Sequence, residues 1–415
     1  MATLHPFRAL RPLPDQASAV AAVPYDVVSA AEARALATDD PLSFLRVSRP
    51  EIELPPDTDP YADAVYEAAV RNFARLRAAA PLVEEAAPSV YVYRLRMGGH
   101  EQSGVAACFS VDEYERDVIR KHERTRKDKE DDRTRHIIDL RAQTGPVFLT
   151  YPASAAVDLA VAQTVSDPPL FDFTAVDGVQ HTIWRVTAAI SDALVAAFAR
   201  IPVLYIADGH HRAASAMRAR QALREQSPGK ETMEADTFLA VAFPGDQTQL
   251  LPYHRVVKDL AGYTPASLLE ALAERVGVAP GTDTPGGPGE VAMYLAGQWY
   301  TLHLAPAAPA APDTPAADRL DVSLLHEQVL APLLGVGDPR TDQRIDFIGG
   351  IRGPQALAAR VDEGDAAVAF AMYPVRVEDL MRIADTGGIM PPKSTWFEPK
   401  LRDGLLTHLI EERYP

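Results

Sequence analysis

Five consecutive residues, Asp208-Gly209-His210-His211-Arg212, concentrate more chemistry than any other short stretch of the chain. The apolar run Val203-Leu204-Tyr205-Ile206 before them reads as a buried strand. The segment after them, with Ala213, Ala216, Met217 and Leu223, reads as a helix. The first N–H groups of a helix have no partner within it and lie at the positive end of its dipole, so a strand-to-helix turn of this kind receives phosphate. Gly209 permits a tight turn and close approach of the backbone to a ligand. Asp208 is placed to cap the helix. His210, His211 and Arg212 add donors, and the arginine fork matches two phosphate oxygens. A turn that only capped a helix would not need two histidines and an arginine at its start. The adjacent histidines are a poor zinc pair, because neighbouring residues on a helix do not face one ion.

A second candidate is Asp26, in Val23-Pro24-Tyr25-Asp26-Val27-Val28-Ser29. Pro24 restricts the backbone and suits a fixed turn from which Asp26 projects. A carboxylate there could orient or deprotonate a hydroxyl during phosphoryl transfer. The alternative is that Asp26 or Ser29 caps the Ala-rich helix that follows; Glu32, on that helix, is a second choice of carboxylate. Residues 120–141 form a dense run of mixed charge, which ordinarily means a solvated helical face. The stretch Met390–Lys400 has neither helical nor strand period. Lys393, Ser394 and Thr395 could offer a cation and hydroxyls to a ligand, or the segment could simply pack Trp396 and Phe397. No Walker-type loop and no protein-kinase glycine set occurs.

The elements that must position these residues alternate in type. Residues 61–79 read as a helix, with Val65, Ala69, Phe73 and Leu76 on one face. Residues 89–97 and 104–111 read as a hairpin across Gly98-Gly99, and 146–151, 201–207 and 237–243 as buried strands. A capped helix is predicted over 264–276, a hairpin across Gly297, a helix over about 320–334 and a strand over 366–372. The pattern predicts mixed α/β or α+β architecture rather than a regular βαβ series. The predicted division is a main region over 1–304, with the phosphate turn in about 200–260. A Pro/Ala-rich loop or linker follows over 305–317, then a C-terminal α/β region over 318–415 packed on the core.

The chain has 415 residues, a net charge of −16 and a single cysteine, Cys108. The acidic balance argues against nucleic-acid and anionic-membrane surfaces, which need clustered positive charge. One cysteine excludes an internal disulfide and suits a small buried hydrophobe. With no apolar leader and no membrane-length apolar run, the cytoplasm is the expected compartment. A small-molecule substrate is the expected partner, with self-association allowed.

Asp208-Gly209-His210-His211-Arg212 after a strand and before a helix resembles the phosphate-holding turn of the ParB/sulfiredoxin superfamily. Together with Val23–Ser29, His122-Glu123-Arg124-Thr125, Asp132-Arg133 and Met390–Lys400, it makes the whole chain similar to the bacterial family known as domain of unknown function 1015. The resemblance implies a ParB/sulfiredoxin-like core with additional mixed sheet and helices. It points to the serine-kinase-like branch, whose members make O-phosphoserine from free serine and a nucleotide. It implies a catalytic role for Asp26, because an acidic residue near the N-terminus is the base in those relatives. It also draws His122, Glu123, Thr125 and Arg133 out of the charge run as further site residues. The combined expectation is a phosphotransferase with Asp26, His210 and His211 catalytic. Asp208, Gly209, His210, His211 and Arg212 would hold ATP or ADP, and Mg²⁺ would bridge the phosphates through water and few protein ligands. A phosphatase or pyrophosphate-using enzyme at the same site, a non-catalytic nucleotide-sensing module and, against the charge, ParB-like DNA association are the rival readings.

Overall fold

A computed structural model describes residues 1–79, 82–304 and 315–411. It forms mixed α/β structure in two units: Met1–Thr248 together with the segment from Pro399 onward, and Gln249–Glu398.

The first unit is organised by a nine-stranded mixed sheet. Leu204–Asp208 lies between Ile119–Arg120, to which it is parallel, and Val147–Tyr151, to which it is antiparallel. Val147–Tyr151 in turn runs parallel to Thr237–Pro244, the neighbour of the hairpin Tyr91–Met97/His100–Ser110. The central strands are apolar on nearly every residue because helices cover the sheet. Val147, Leu149, Leu204, Ile206, Ala240 and Phe238 share a core with Val157, Leu194, Ala213 and Ala216 of three helices. Cys108 sits in this hairpin, buried, and burial pushes its thiol well above the ordinary range.

A second core in the same unit forms under the helices Ala30–Ala37 and Asp63–Ala79, around Val20, Ala33, Phe44, Val47, Phe73 and Leu140. Ser29 rather than Asp26 caps the first of these helices. Its hydroxyl accepts the Glu32 N–H and the Glu32 carboxylate accepts the Ser29 N–H, a reciprocal capping box. That leaves Asp26 outside the helix.

The second unit is a six-stranded antiparallel sheet ordered Gly277–Pro280, Gln298–His303, Glu290–Leu295, Val368–Met372, Tyr253–Val257, Ile345–Gly349. The helix Pro265–Ala273, capped by Thr264, belongs to it. The chain does not divide at 304 as its composition implies. Strands on both sides of 305–317 pair in one sheet, since Glu290–Leu295 is the neighbour of Val368–Met372. The tail returns to the first unit, where Thr407–Leu409 pairs with Ala9–Arg11 and Ala142–Gln143. A Pro/Ala run marks a loop but carries no information about which strands pair across it. Of that run, 305–314 lie outside the described residues. No helix among the described residues is long and apolar enough to cross a membrane.

Candidate active site

The strand Leu204–Asp208 ends in a register shift between Ile206 and Asp208, and the chain turns at Gly209 into the helix His210–Gln226. Gly209 has φ 90° and ψ 30°, the left-handed region, and a Cβ there would lie 3.4 Å from the Val147 Cα. The turn therefore requires glycine. Gly209 is the N-cap and has no side chain with which to cap the first-turn N–H groups.

Asp208 is not the cap that its position implies. Its Oδ1 accepts the Gly209 N–H at 2.8 Å and its Oδ2 accepts from Lys400 Nζ at 3.1 Å. Burial would raise this carboxyl, but Lys400 and Arg212 outweigh it and hold it well below the ordinary range. Asp208 is thus a fixed anion that ties the C-terminal segment to the turn.

The two histidines are neutral rather than cationic. Burial pushes His210 down to about 3, with Asp208 opposing. His211 is lowered mainly by burial, and its Nε2 accepts the Arg126 N–H at 3.0 Å, so that nitrogen carries no proton. Neither histidine therefore brings positive charge to the turn; its nearby cations are Arg212 and Lys400.

Arg212 is buried, and its guanidinium points back under the turn. Nη1 donates to the Pro146 carbonyl, and Nη2 lies 3.3 Å from Oδ1 and 3.5 Å from Oδ2 of Asp26. This pair brings together two motifs that are 186 residues apart in the chain. The Asp26 side chain keeps one-third of its surface exposed, at 33%. Its turn is pinned by Arg49, whose Nη1 donates to the carbonyls of Tyr25 at 2.7 Å and Val28 at 2.8 Å. Arg133 lies 4.3 Å from the Tyr25 ring centre, pairs with Asp132 at 2.9 Å and donates to the Ser48 carbonyl. Arg133 thus supports the Asp26 turn from behind.

Asp403 closes the arrangement. It is buried beside Arg212, its Oδ1 has no hydrogen-bond partner, and a Cβ on Gly145 would sit 2.8 Å from that oxygen. With Tyr25, Arg133 and Arg212 it lines a cavity of about 40 Å³. That space suits one or two waters, not a nucleotide. Burial pushes the Asp403 carboxyl up to about 7, with Arg212 opposing and Asp26 reinforcing. Its unfolded value is about 3.9. Between these values the folded chain holds a proton that the unfolded chain has lost, so stability falls as pH rises from about 4 to about 7 and stays lower above. Asp403→Asn removes that loss. Its melting temperature relative to wild type should therefore rise between about pH 4 and about pH 7 and level off above; a constant difference would show that Asp403 ionises in the ordinary range.

Of the remaining expected site residues, His122 and Glu123 do reach the turn. The His122 ring stands edge-on to His210 with centroids 4.5 Å apart, and Glu123 Oε2 is 3.9 Å from His210 Nδ1. Thr125 is engaged within its own segment: its hydroxyl donates to Glu130, which itself pairs with Arg218. Lys393, Ser394 and Thr395 belong to the second unit. There Lys393 Nζ lies 5.3 Å from the Tyr253 ring centre, and the Ser394 hydroxyl donates to the Pro391 carbonyl. Sequence reasoning passed over Lys400 as a site residue although it ends the Met390–Lys400 motif. It also passed over Arg49 and Asp403, which carry no local signal.

The fold and site define a mixed α/β protein with a glycine-started helix whose Arg212 pairs with the Asp26 carboxylate. The chain belongs to the DUF1015 family, described as protein of unknown function, whose model matches residues 4–323. No curated protein matches the chain. Among solved structures it is similar to a free serine kinase in complex with AMP, at 11% identity and TM-score 0.35, covering 73% of this chain and 91% of that one. It is also similar to SbnI with C-terminal truncation from Staphylococcus aureus, at 13% identity and TM-score 0.38, covering 73% and 87%. A conserved hypothetical protein from Pyrococcus furiosus matches at 14% identity and TM-score 0.33, covering 74% and 95%.

Proposed function

We propose that this protein is a phosphotransferase that moves a phosphoryl group from ATP or ADP to a small hydroxylated metabolite, with free L-serine as the leading acceptor. The observation that carries the reading is the pairing of Asp26 with Arg212. It sets a partly exposed carboxylate beside a helix start whose N-cap, Gly209, supplies no capping side chain. The phosphates would lie on the first-turn N–H groups of His210, His211 and Arg212, where the helix dipole favours negative charge. Asp26 would accept the proton of the acceptor hydroxyl as its oxygen bonds to phosphorus and the bond to the leaving phosphate breaks. Arg212, held by Pro146, would aim Asp26, and Asp208 with Lys400 would hold the turn closed beneath the phosphates. The choice of serine comes from the resemblance of the Asp208–Arg212 motif to the serine-kinase-like branch.

The residues around the turn do not form a Mg²⁺ cage. Mg²⁺ asks for oxygen ligands, whereas Asp26 and Asp208 are faced by Arg212 and Lys400 and the remaining cluster is rich in imidazole. No step is assigned through that ion.

The test is to incubate the purified protein with Mg²⁺, serine and either ATP, ADP or pyrophosphate, and follow phosphorus by NMR. Appearance of an O-phosphoserine resonance with one donor is the expected result. Release of inorganic phosphate without phosphoserine would replace the reading by a phosphatase, and an unchanged spectrum with all three donors would overturn it.

A further inference from the structure

His122, Glu123 and His210 each offer one donor atom, and the three atoms all lie within 4.8 Å of one another. Two of these side chains are almost wholly buried, His122 at 1% and His210 at 5% exposure. Yet both ring nitrogens of His122 and Nε2 of His210 lack a hydrogen-bond partner. The Ile206 main chain faces the His122 ring without meeting hydrogen-bond geometry. A buried polar atom left without a partner costs about 1–3 kcal/mol. Three such nitrogens on two touching rings are therefore left unaccounted for by the protein's own hydrogen bonds, and a bound group could take one nitrogen from each ring. Edge-on ring packing accounts for the contact between the rings but leaves those nitrogens unsatisfied.

The donor chemistry narrows what that group is. Two imidazoles and one carboxylate are the protein ligands of open zinc sites, which keep a fourth position for water or substrate. Imidazole donors suit first-row divalent ions and disfavour Mg²⁺ and Ca²⁺, which take oxygen. The histidine pair comes from two separate segments, so the objection to the neighbours His210 and His211 as joint ligands does not apply. Glu123, 43% exposed, forms the outer wall and leaves a path from solvent.

We propose that His122, His210 and Glu123 bind a first-row divalent transition ion, Zn²⁺ in the first instance, at the edge of the phosphate turn. The fourth position is open to water or to a phosphate oxygen. The site rests on the geometry of these three residues and stands whether or not the protein transfers phosphate.

The full-length protein, stripped with a chelator and held in phosphate-free buffer without nucleotide, is titrated with Zn²⁺ by calorimetry. Binding of about one ion per chain with micromolar or tighter affinity is expected. Co²⁺ in its place should give visible absorption of a low-coordinate nitrogen–oxygen site. Glu123→Gln, a change on the exposed side, should weaken Zn²⁺ by at least about tenfold. His122→Gln and His210→Gln should weaken it further. Absence of binding to wild type overturns the site, as does Glu123→Gln or His122→Gln binding with wild-type affinity. Glu123→Gln keeps the test decisive if the buried histidine variants fail to fold.

Discussion

Asp26→Asn is expected to lower turnover of the identified acceptor by about 10²–10⁴-fold, the usual contribution of a positioned general base. The substitution keeps the shape and removes the charge, so the turn held by Arg49 should persist. It should cost little stability through capping, because Ser29 and Glu32 cap the helix. Donor affinity should hold or tighten slightly, since Arg212 would then lack the carboxylate that lies 3.3 Å away. The kinetic signature is a fall in kcat with donor binding preserved, read by steady-state rates and by calorimetry with the nucleotide. Near-normal kcat in Asp26→Asn would make Asp26 a partner for Arg212 and nothing more, and would move the search for a base to Glu123.

Arg212→Ala should be the most damaging single change to the turn. The guanidinium is buried and holds Pro146 and Asp26 at once. Breaking a buried ion pair from one side costs about 3–5 kcal/mol, and the partial exposure of Asp26 places this case near about 3 kcal/mol. A melting shift of roughly 6–12 °C follows for a unit of this size. Phosphate affinity should fall as well, by roughly tenfold to a hundredfold, as Asp208, Asp26 and Asp403 lose their shared cation. Arg212→Lys keeps the charge without the fork and should recover only part of either loss. Wild-type melting in Arg212→Ala would show that the guanidinium makes none of these contacts. Lost affinity at unchanged stability would show that it reaches the phosphate directly.

The strand before Asp208, the helix after it, the Gly98-Gly99 hairpin and the helix Asp63–Ala79 were legible because each is a local pattern. Hydrophobic period, glycine and capping chemistry act over a few residues, and the structure keeps them with end shifts of a few positions. The capping role assigned to Asp208 misread the same local rules. The left-handed Gly209 takes the cap position, and Lys400 claims the carboxylate. The division at 304 failed because strand pairing across a long connection leaves no mark in composition.

What the sequence determined by itself is a glycine-started helix at the end of a buried strand, with Asp26 on a proline-restricted turn elsewhere. Those features follow from backbone sterics and the dipole of a short segment. Only the tertiary structure decided that Asp26 meets Arg212, that Asp403 lies buried behind them, and that His122 stands against His210. These encounters close long loops, and the entropy they cost is repaid by burial spread over two cores. The protonation of the site follows from the same burial. The two histidines of the turn are neutral in the fold, because desolvation outweighs the carboxylates around them.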